Sequence, residues 1–242
     1  MDKERAERIQ RFFYWVRIVI LVLFLAFVFI GLSKAQNTND FGMWISAGTE
    51  KNVNDSWSLG VSTEIRTKDN TGSVDRWQLG VSGTYKVSKL LKLGGGYEFH
   101  LKNHTIDNVT EMVPRHRLKF DITSGCKVVN WLKLSLRERY QYTYTKQKGN
   151  ADASHEHHLR NRLKAEIANG KMYGWSPFSS VEMFNNLGKQ FQIDEMRMAV
   201  GTSLSINANH AINLGYLLDL KRSVGGLDKA LHVLTSGYVY HI

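Results

Sequence analysis

Between Trp131 and Lys146 the chain reads WLKLSLRERYQYTYTK, and a period of two divides it into two faces. Leu132, Leu134, Leu136, Tyr140, Tyr142 and Tyr144 share one; Lys133, Ser135, Arg137, Arg139, Gln141, Thr143 and Thr145 share the other. Period two belongs to a strand. The apolar face passes from leucines to tyrosines, the order expected of a surface that crosses hydrocarbon and ends in a headgroup layer. Glu138 is its single breach. In a soluble sandwich such alternation would be ordinary, so the membrane reading depends on how often the pattern recurs and how long each instance runs.

It recurs along the whole chain after a leading apolar segment. The first windows are Phe41 to Val53; Trp57, Leu59, Val61, Thr63 and Ile65; Trp77 to Val87; and Leu91 to Leu101. Next come Leu118 to Cys126, the Trp131 strand, Leu159 to Ile167, and an irregular one from Trp175 to Asn185 in which Phe178 and Phe184 share a face with Glu182. Met196 to Ile206, Ile212 to Leu220 and Leu231 to Ile242 complete the series. Short bends at Asn54, Ser88, Val129, Asn169 and Asn207 alternate with long polar loops after Thr67, Lys102, Lys146 and Lys221, as in hairpins with periplasmic turns and extracellular loops. The predicted fold is all-β: a transmembrane antiparallel up-and-down barrel of 10 to 12 strands after a signal peptide. Even strand numbers are the bacterial rule, so a count of eleven windows predicts one missed, split or outside the wall. The first, which this layout runs downward, is the odd one.

Composition adds an address. Charged MDKERAERIQR, the apolar run Ile18 to Leu32 and Ser33-Lys34-Ala35 read as a secretory signal, residues 1–35, removed after Ala35 and leaving residues 36–242 as one β-barrel. The net charge is +10, but the leader holds six Lys/Arg against three acids, and the remaining basic residues alternate along strands; nucleic acid is not an expected partner. Cys126 is the only cysteine, which excludes an internal disulfide and a lipoprotein anchor on the mature chain. Tyr238, Tyr240 and Ile242 end the chain on one face, resembling the terminal strand by which outer-membrane barrels meet their assembly machinery. That machinery and outer-membrane lipid are the expected partners.

The succession NVNDSWSLGVSTEIRTKDN, DRWQLGVSGTYKVSKLLKLGGGYEF, HRLKFDITSGCKVVNWLKLSLRERYQY, RNRLKAEIANGKMYGWSPFSSVEMF and HAINLGYLLDL resembles the Bacteroidetes-type outer-membrane barrel family catalogued as domain of unknown function 2490 (DUF2490). The resemblance covers nearly the whole mature chain. It implies a Gram-negative outer-membrane location and no particular activity.

Inward positions carry the remaining chemistry. Arg115, Arg117 and Lys119, then Arg137 and Arg139, then Arg160, Arg162 and Lys164 occupy the polar faces of three consecutive strands and predict a basic wall. Glu64, Glu98, Asp121, Glu166, Glu182, Glu195 and Asp219 supply inward carboxylates, with Arg66, Lys86 and Arg197 as further cations. The leading expectation is a structural barrel or a narrow, charge-filled lumen, because side chains fill small barrels. The alternative is a small anion-preferring pore, and the second alternative an outer-membrane hydrolase acting on lipid. Nucleophilic catalysis needs a Ser beside a His beside an acid; His100 with Ser82 is the best pairing available, and no enzyme is expected. His155, His157 and His158 have the donor type for a metal, but QKGNADASHEH reads as a solvated loop, and no metal or cofactor is expected. Gly94 to Gly96 make no phosphate loop, since no helix follows, and are read as permitting curvature.

Overall fold

The computed structural model describes residues 38–106, 109–146, 153–167, 174–189, 191–223 and 226–242; the segment read as a signal, residues 1–35, lies outside them. Each of the eleven sequence windows is a strand. They are β1 (Thr38–Asn52), β2 (Trp57–Lys68), β3 (Ser73–Lys86), β4 (Leu91–Ile106), β5 (Val109–Val129) and β6 (Leu132–Thr145), followed by β7 (Ser154–Ile167), β8 (Trp175–Asn186), β9 (Gln192–Ser205), β10 (His210–Ser223) and β11 (Gly226–His241). Every strand pairs with the next, and β1 pairs with β11 to close the barrel.

Two expectations are corrected. The strand number is odd, and the first window is a full member of the wall: β1 pairs antiparallel with β2 from Trp44↔Arg66 to Asn52↔Ser58, and parallel with β11 from Thr38↔Lys229 to Glu50↔His241. An up-and-down chain with an odd number of strands begins and ends in the same direction, so its seam has to be parallel. The second correction concerns the loops. Polar stretches assigned to loops after Lys102 and Lys221 continue as strand: β4 runs to Ile106 and β5 starts at Val109, while β10 runs to Ser223 and β11 starts at Gly226. A membrane strand needs about 9–11 residues, whereas β5 has 21. In the added length polar and apolar residues mix on both faces, as in Lys102-Asn103-His104-Thr105-Ile106 and Val109-Thr110-Glu111-Met112-Val113, and the period-two signal fades.

Within the wall, alternation sorts side chains as the pattern predicts. Leu59, Val61, Leu79, Val81, Phe120, Ile122 and Leu163 point outward and stay 43–58% exposed. A soluble protein rarely leaves so continuous an apolar surface uncovered, whereas a barrel in hydrocarbon needs one. The opposite face is polar, and Arg66, Arg76, His100, Gln141, Thr143, Arg160, Glu182 and Asp219 are buried there. Glycine matters where strands crowd an aromatic: a Cβ on Gly201 would come 2.9 Å from the Phe178 ring and 2.5 Å from the Leu214 carbonyl.

Candidate functional site

The polar face of the wall encloses a cavity of about 920 Å³. Of the residues proposed from sequence, Glu64, Arg66, Glu98, Arg115, Arg117, Arg137, Arg139, Arg160, Arg162, Glu182, Glu195 and Arg197 line it. Lys119, Asp121, Lys164, Glu166 and Asp219 also face inward, each against another inward charge. Lys86 lies apart, at the end of β3, beside Asp55, Ser58 and Lys92.

Strand alternation delivers these charges in rows, and the rows pair across strands. Glu98 on β4 meets Lys119 and Arg117 on β5, the latter at 3.3 Å, and His100 on its own strand at 3.1 Å. Arg139 grips Asp121 with two bonds of 2.6 Å, the bidentate fork suited to a carboxylate. Glu182 on β8 accepts from Arg137 on β6 at 2.6 Å and stands 3.0 Å from Arg160 on β7. Arg197 stands 2.6 Å from Glu195 and 3.4 Å from Asp219.

Aromatic rings interleave with the guanidiniums. Arg66 lies 3.7 Å over the Trp44 ring, and Arg197 lies 4.9 Å from that ring and 4.7 Å from Phe184, which Arg160 covers at 4.1 Å. The series Arg66, Trp44, Arg197, Phe184, Arg160 joins β2 and β1 to β9, β8 and β7 as a crossbar inside the barrel. Cation–π contact with a desolvated ring contributes about 2 kcal/mol and adds to the ion pairs that these guanidiniums make with Glu64, Glu182, Glu195 and Asp219.

Carboxylates are in fact too few. Thirteen Lys and Arg line the cavity against six Asp and Glu. Glu98 answers two cations and the His100 ring, and Glu182 answers two cations. Among the described residues, Lys102 and Arg162 form no ion pair, and the Nε atoms of Arg76, Arg137, Arg160 and Arg162 have no hydrogen-bond acceptor. The arrangement can therefore offer N–H donors and positive charge to an anion. At the other end of the barrel the inward positions are small: Ser58, Gly60 and Ser62 on β2 and Gly80, Ser82 and Thr84 on β3, with Ser62 and Ser82 open to solvent.

Several of these groups went unnoticed in the sequence. Arg76 and Lys102 fall on the inward parity of β3 and β4 but sit one residue beyond the apolar alternation, while Trp44 and Phe184, the latter on the face of Glu182, carry no charge to mark them as site residues. Extending the period outward past each apolar window would have found the first two. The histidines are corrected. His155, His157 and His158 lie on β7, not in a loop. His155 and His157 face outward, where their Nδ1 atoms meet the hydroxyls of Tyr142 at 2.7 Å and Tyr140 at 2.8 Å, while His158 faces Asp194 inside at 3.7 Å. Opposite faces of one strand cannot share a metal. Nor are His100 and Ser82 neighbours: His100 pairs with Gln78 and Ser82 with Gly96, an offset of roughly 13 Å along the strand. Gly94 to Gly96 lie within β4, and a Cβ on Gly96 would come 3.4 Å from Lys119 Cε, so its bareness makes room for that cation.

Residues 41–229 match the family model described as a protein of unknown function, DUF2490. The chain belongs to this family. No curated protein matches it. Three solved structures resemble this DUF2490 barrel. The NanC porin is 13% identical, with 78% of this chain and 92% of that one covered and a TM-score of 0.47. The β domain of the Bordetella autotransporter BrkA is 11% identical, covering 69% and 77% with a TM-score of 0.47. The translocator domain of the autotransporter NalP from Neisseria meningitidis is 11% identical, covering 70% of each chain with a TM-score of 0.48.

Proposed function

We propose that this DUF2490 chain is an outer-membrane barrel whose lumen takes up small anionic solutes in preference to cations. The observation that carries the reading is the charge imbalance around a cavity of about 920 Å³, thirteen cations to six carboxylates. A ring of excess Lys and Arg lowers the energy of an anion in a constriction and raises that of a cation. Small, solvent-open inward residues on β2 and β3 favour a conduit over a barrel filled end to end. The ion pairs and the crossbar narrow the lumen at one level, so filling is local.

In this reading the exposed apolar wall contacts outer-membrane lipid, residues 1–35 direct export and are cleaved after Ala35, and the Tyr238, Tyr240 and Ile242 face presents the last strand to the assembly machinery. The reading assigns the chain no catalytic role, and what supports this is that His100 and Ser82, the best catalytic pairing the sequence offers, stand four positions apart along paired strands, with His100 beside Glu98.

Two measurements test the proposal. The mature protein should sediment with outer membranes and migrate faster on a gel when unboiled; a soluble periplasmic species with unchanged mobility would overturn it. In a planar bilayer under a potassium chloride gradient, the reversal potential should shift toward the chloride value. Arg162→Ala should reduce that shift without loss of thermal stability, because Arg162 forms no ion pair among the described residues and its Nε has no acceptor there. Absence of conductance from correctly folded protein would return the case to the filled, structural barrel.

A further inference from the structure

Three cations stand side by side at one level of the lumen. Arg66 of β2 lies opposite Arg76 of β3, and Arg76 lies opposite Lys102 of β4. All three line the cavity. Neighbouring strands are about 4.8 Å apart, and like charges directly opposite each other destabilise a sheet, so the row needs a counter-charge. Of the carboxylates that line the cavity, only Glu64 touches it, on Arg66. Lys102 forms no ion pair among the described residues, and Arg76 has only Asp75, its neighbour on the outward parity, at 3.5 Å. The lumen side of the row therefore holds three positive charges against one negative.

Arg76 is the centre of this surplus. Its side chain is 9% exposed, and its Nε has no acceptor among the described residues. A buried donor left unpaired is costly, and here it belongs to a guanidinium flanked by two further cations. The row also stands near the mouth of the barrel, since β2 ends at Lys68 and β3 begins at Ser73. The chemistry of a matching partner follows from the charge and the donors. Guanidinium forks suit carboxylate and phosphate oxygens. A carboxylate brings one charge and two oxygens, whereas a phosphoryl group at neutral pH brings nearly two charges and three acceptor oxygens, one for each cation. A halide brings one charge and no edge for the fork. Lipid stays outside the wall, so the phosphoryl group belongs to a solute small enough for a cavity of about 920 Å³.

We infer that Arg66, Arg76 and Lys102 form a site for the phosphoryl group of a small solute. The inference deepens the uptake reading and rests on its account of the lumen as open to anions. It is tested by dialysing the mature protein, folded in detergent with the fast unboiled band, against labelled inorganic phosphate at a pH that keeps the phosphate a dianion. Binding should saturate. Arg76→Gln and Lys102→Gln should each raise the dissociation constant about tenfold or more, the loss of one charged hydrogen bond, with the fast band intact. Lys86→Gln, at the other end of β3, should leave it unchanged. Glycerol phosphate should displace the label if the solute is a phosphate ester and fail to do so if it is the free ion; either result upholds the site. No saturable binding to a folded barrel that selects anions in the bilayer would overturn the site alone. Binding unchanged in both variants, or displaced by an equal concentration of chloride, would overturn it too. Binding lost in the variants of a barrel that conducts no anion would uphold the site and overturn uptake.

Discussion

Glu98 holds one carboxylate among Arg117, Lys119 and His100, with its side chain only 14% exposed. Removing its charge would leave neighbouring cations to repel each other in a partly dry interior, and breaking such a buried cluster costs about 3–5 kcal/mol. Glu98→Gln should therefore lower stability by that order, read as the urea midpoint of tryptophan fluorescence for protein folded in vesicles. Lys164 and Glu166 are the contrast, a pair 26% and 27% exposed. Lys164→Met should change the midpoint by about 0–1 kcal/mol, the range of solvated pairs. Equal losses at both sites would mean that water reaches Glu98 freely.

Along each strand, parity decides whether a residue meets lipid or lumen, and a slip of one position would exchange the two faces throughout. Outward Tyr and His pairs stitch neighbouring strands in the observed register: Tyr97 to His116 at 2.6 Å, Tyr216 to His232 at 2.5 Å and His210 to Tyr238 at 2.6 Å. Each spans a strand boundary on the lipid side, where an amphipathic ring suits the interface. The parity of β3 yields a direct contrast. Val81→Arg puts a charge on a half-exposed outward position and should cost about 2–4 kcal/mol if it lies at the midplane. Ser82→Arg points inward, where its cross-strand partners Gly60 and Gly96 leave room, and should be far milder. The measurement is the folded fraction on an unboiled gel, and a reversed order would overturn the register.

At the scale of the molecule, eleven strands close only through the parallel seam of β1 and β11, where Ala47 faces Tyr238. Ala47→Cys with Tyr238→Cys, in a Cys126→Ser background, should form a disulfide that alters mobility on a denaturing, non-reducing gel. Pairing Ala47→Cys with a cysteine elsewhere on the last strand, such as Leu234→Cys, should not. Failure of the first pair in folded protein would mean that the barrel closes in another register. The same closure brings β1 and its Trp44 within reach of Arg197 on β9, so the crossbar exists only because the ends meet.

Period two alone determined the strand windows, their faces and the inward charges, because in a strand the direction of a side chain is set by parity and needs no knowledge of neighbours. Glu138 was visible for the same reason, as a polar residue at an apolar position. Tertiary structure decided what parity cannot express. Whether Glu182 pairs with Arg137 two strands away rather than with Arg162 directly opposite it depends on register and on the reach of long side chains across a closed lumen. The seam depends on the parity of the strand count, which even-numbered precedent hid. The extent of β4 and β5 was hidden because polar and apolar residues mix on both faces of their joined ends, so alternation gives no signal there. Strand pairing alone set Asn161 and Asn185 beside Glu138.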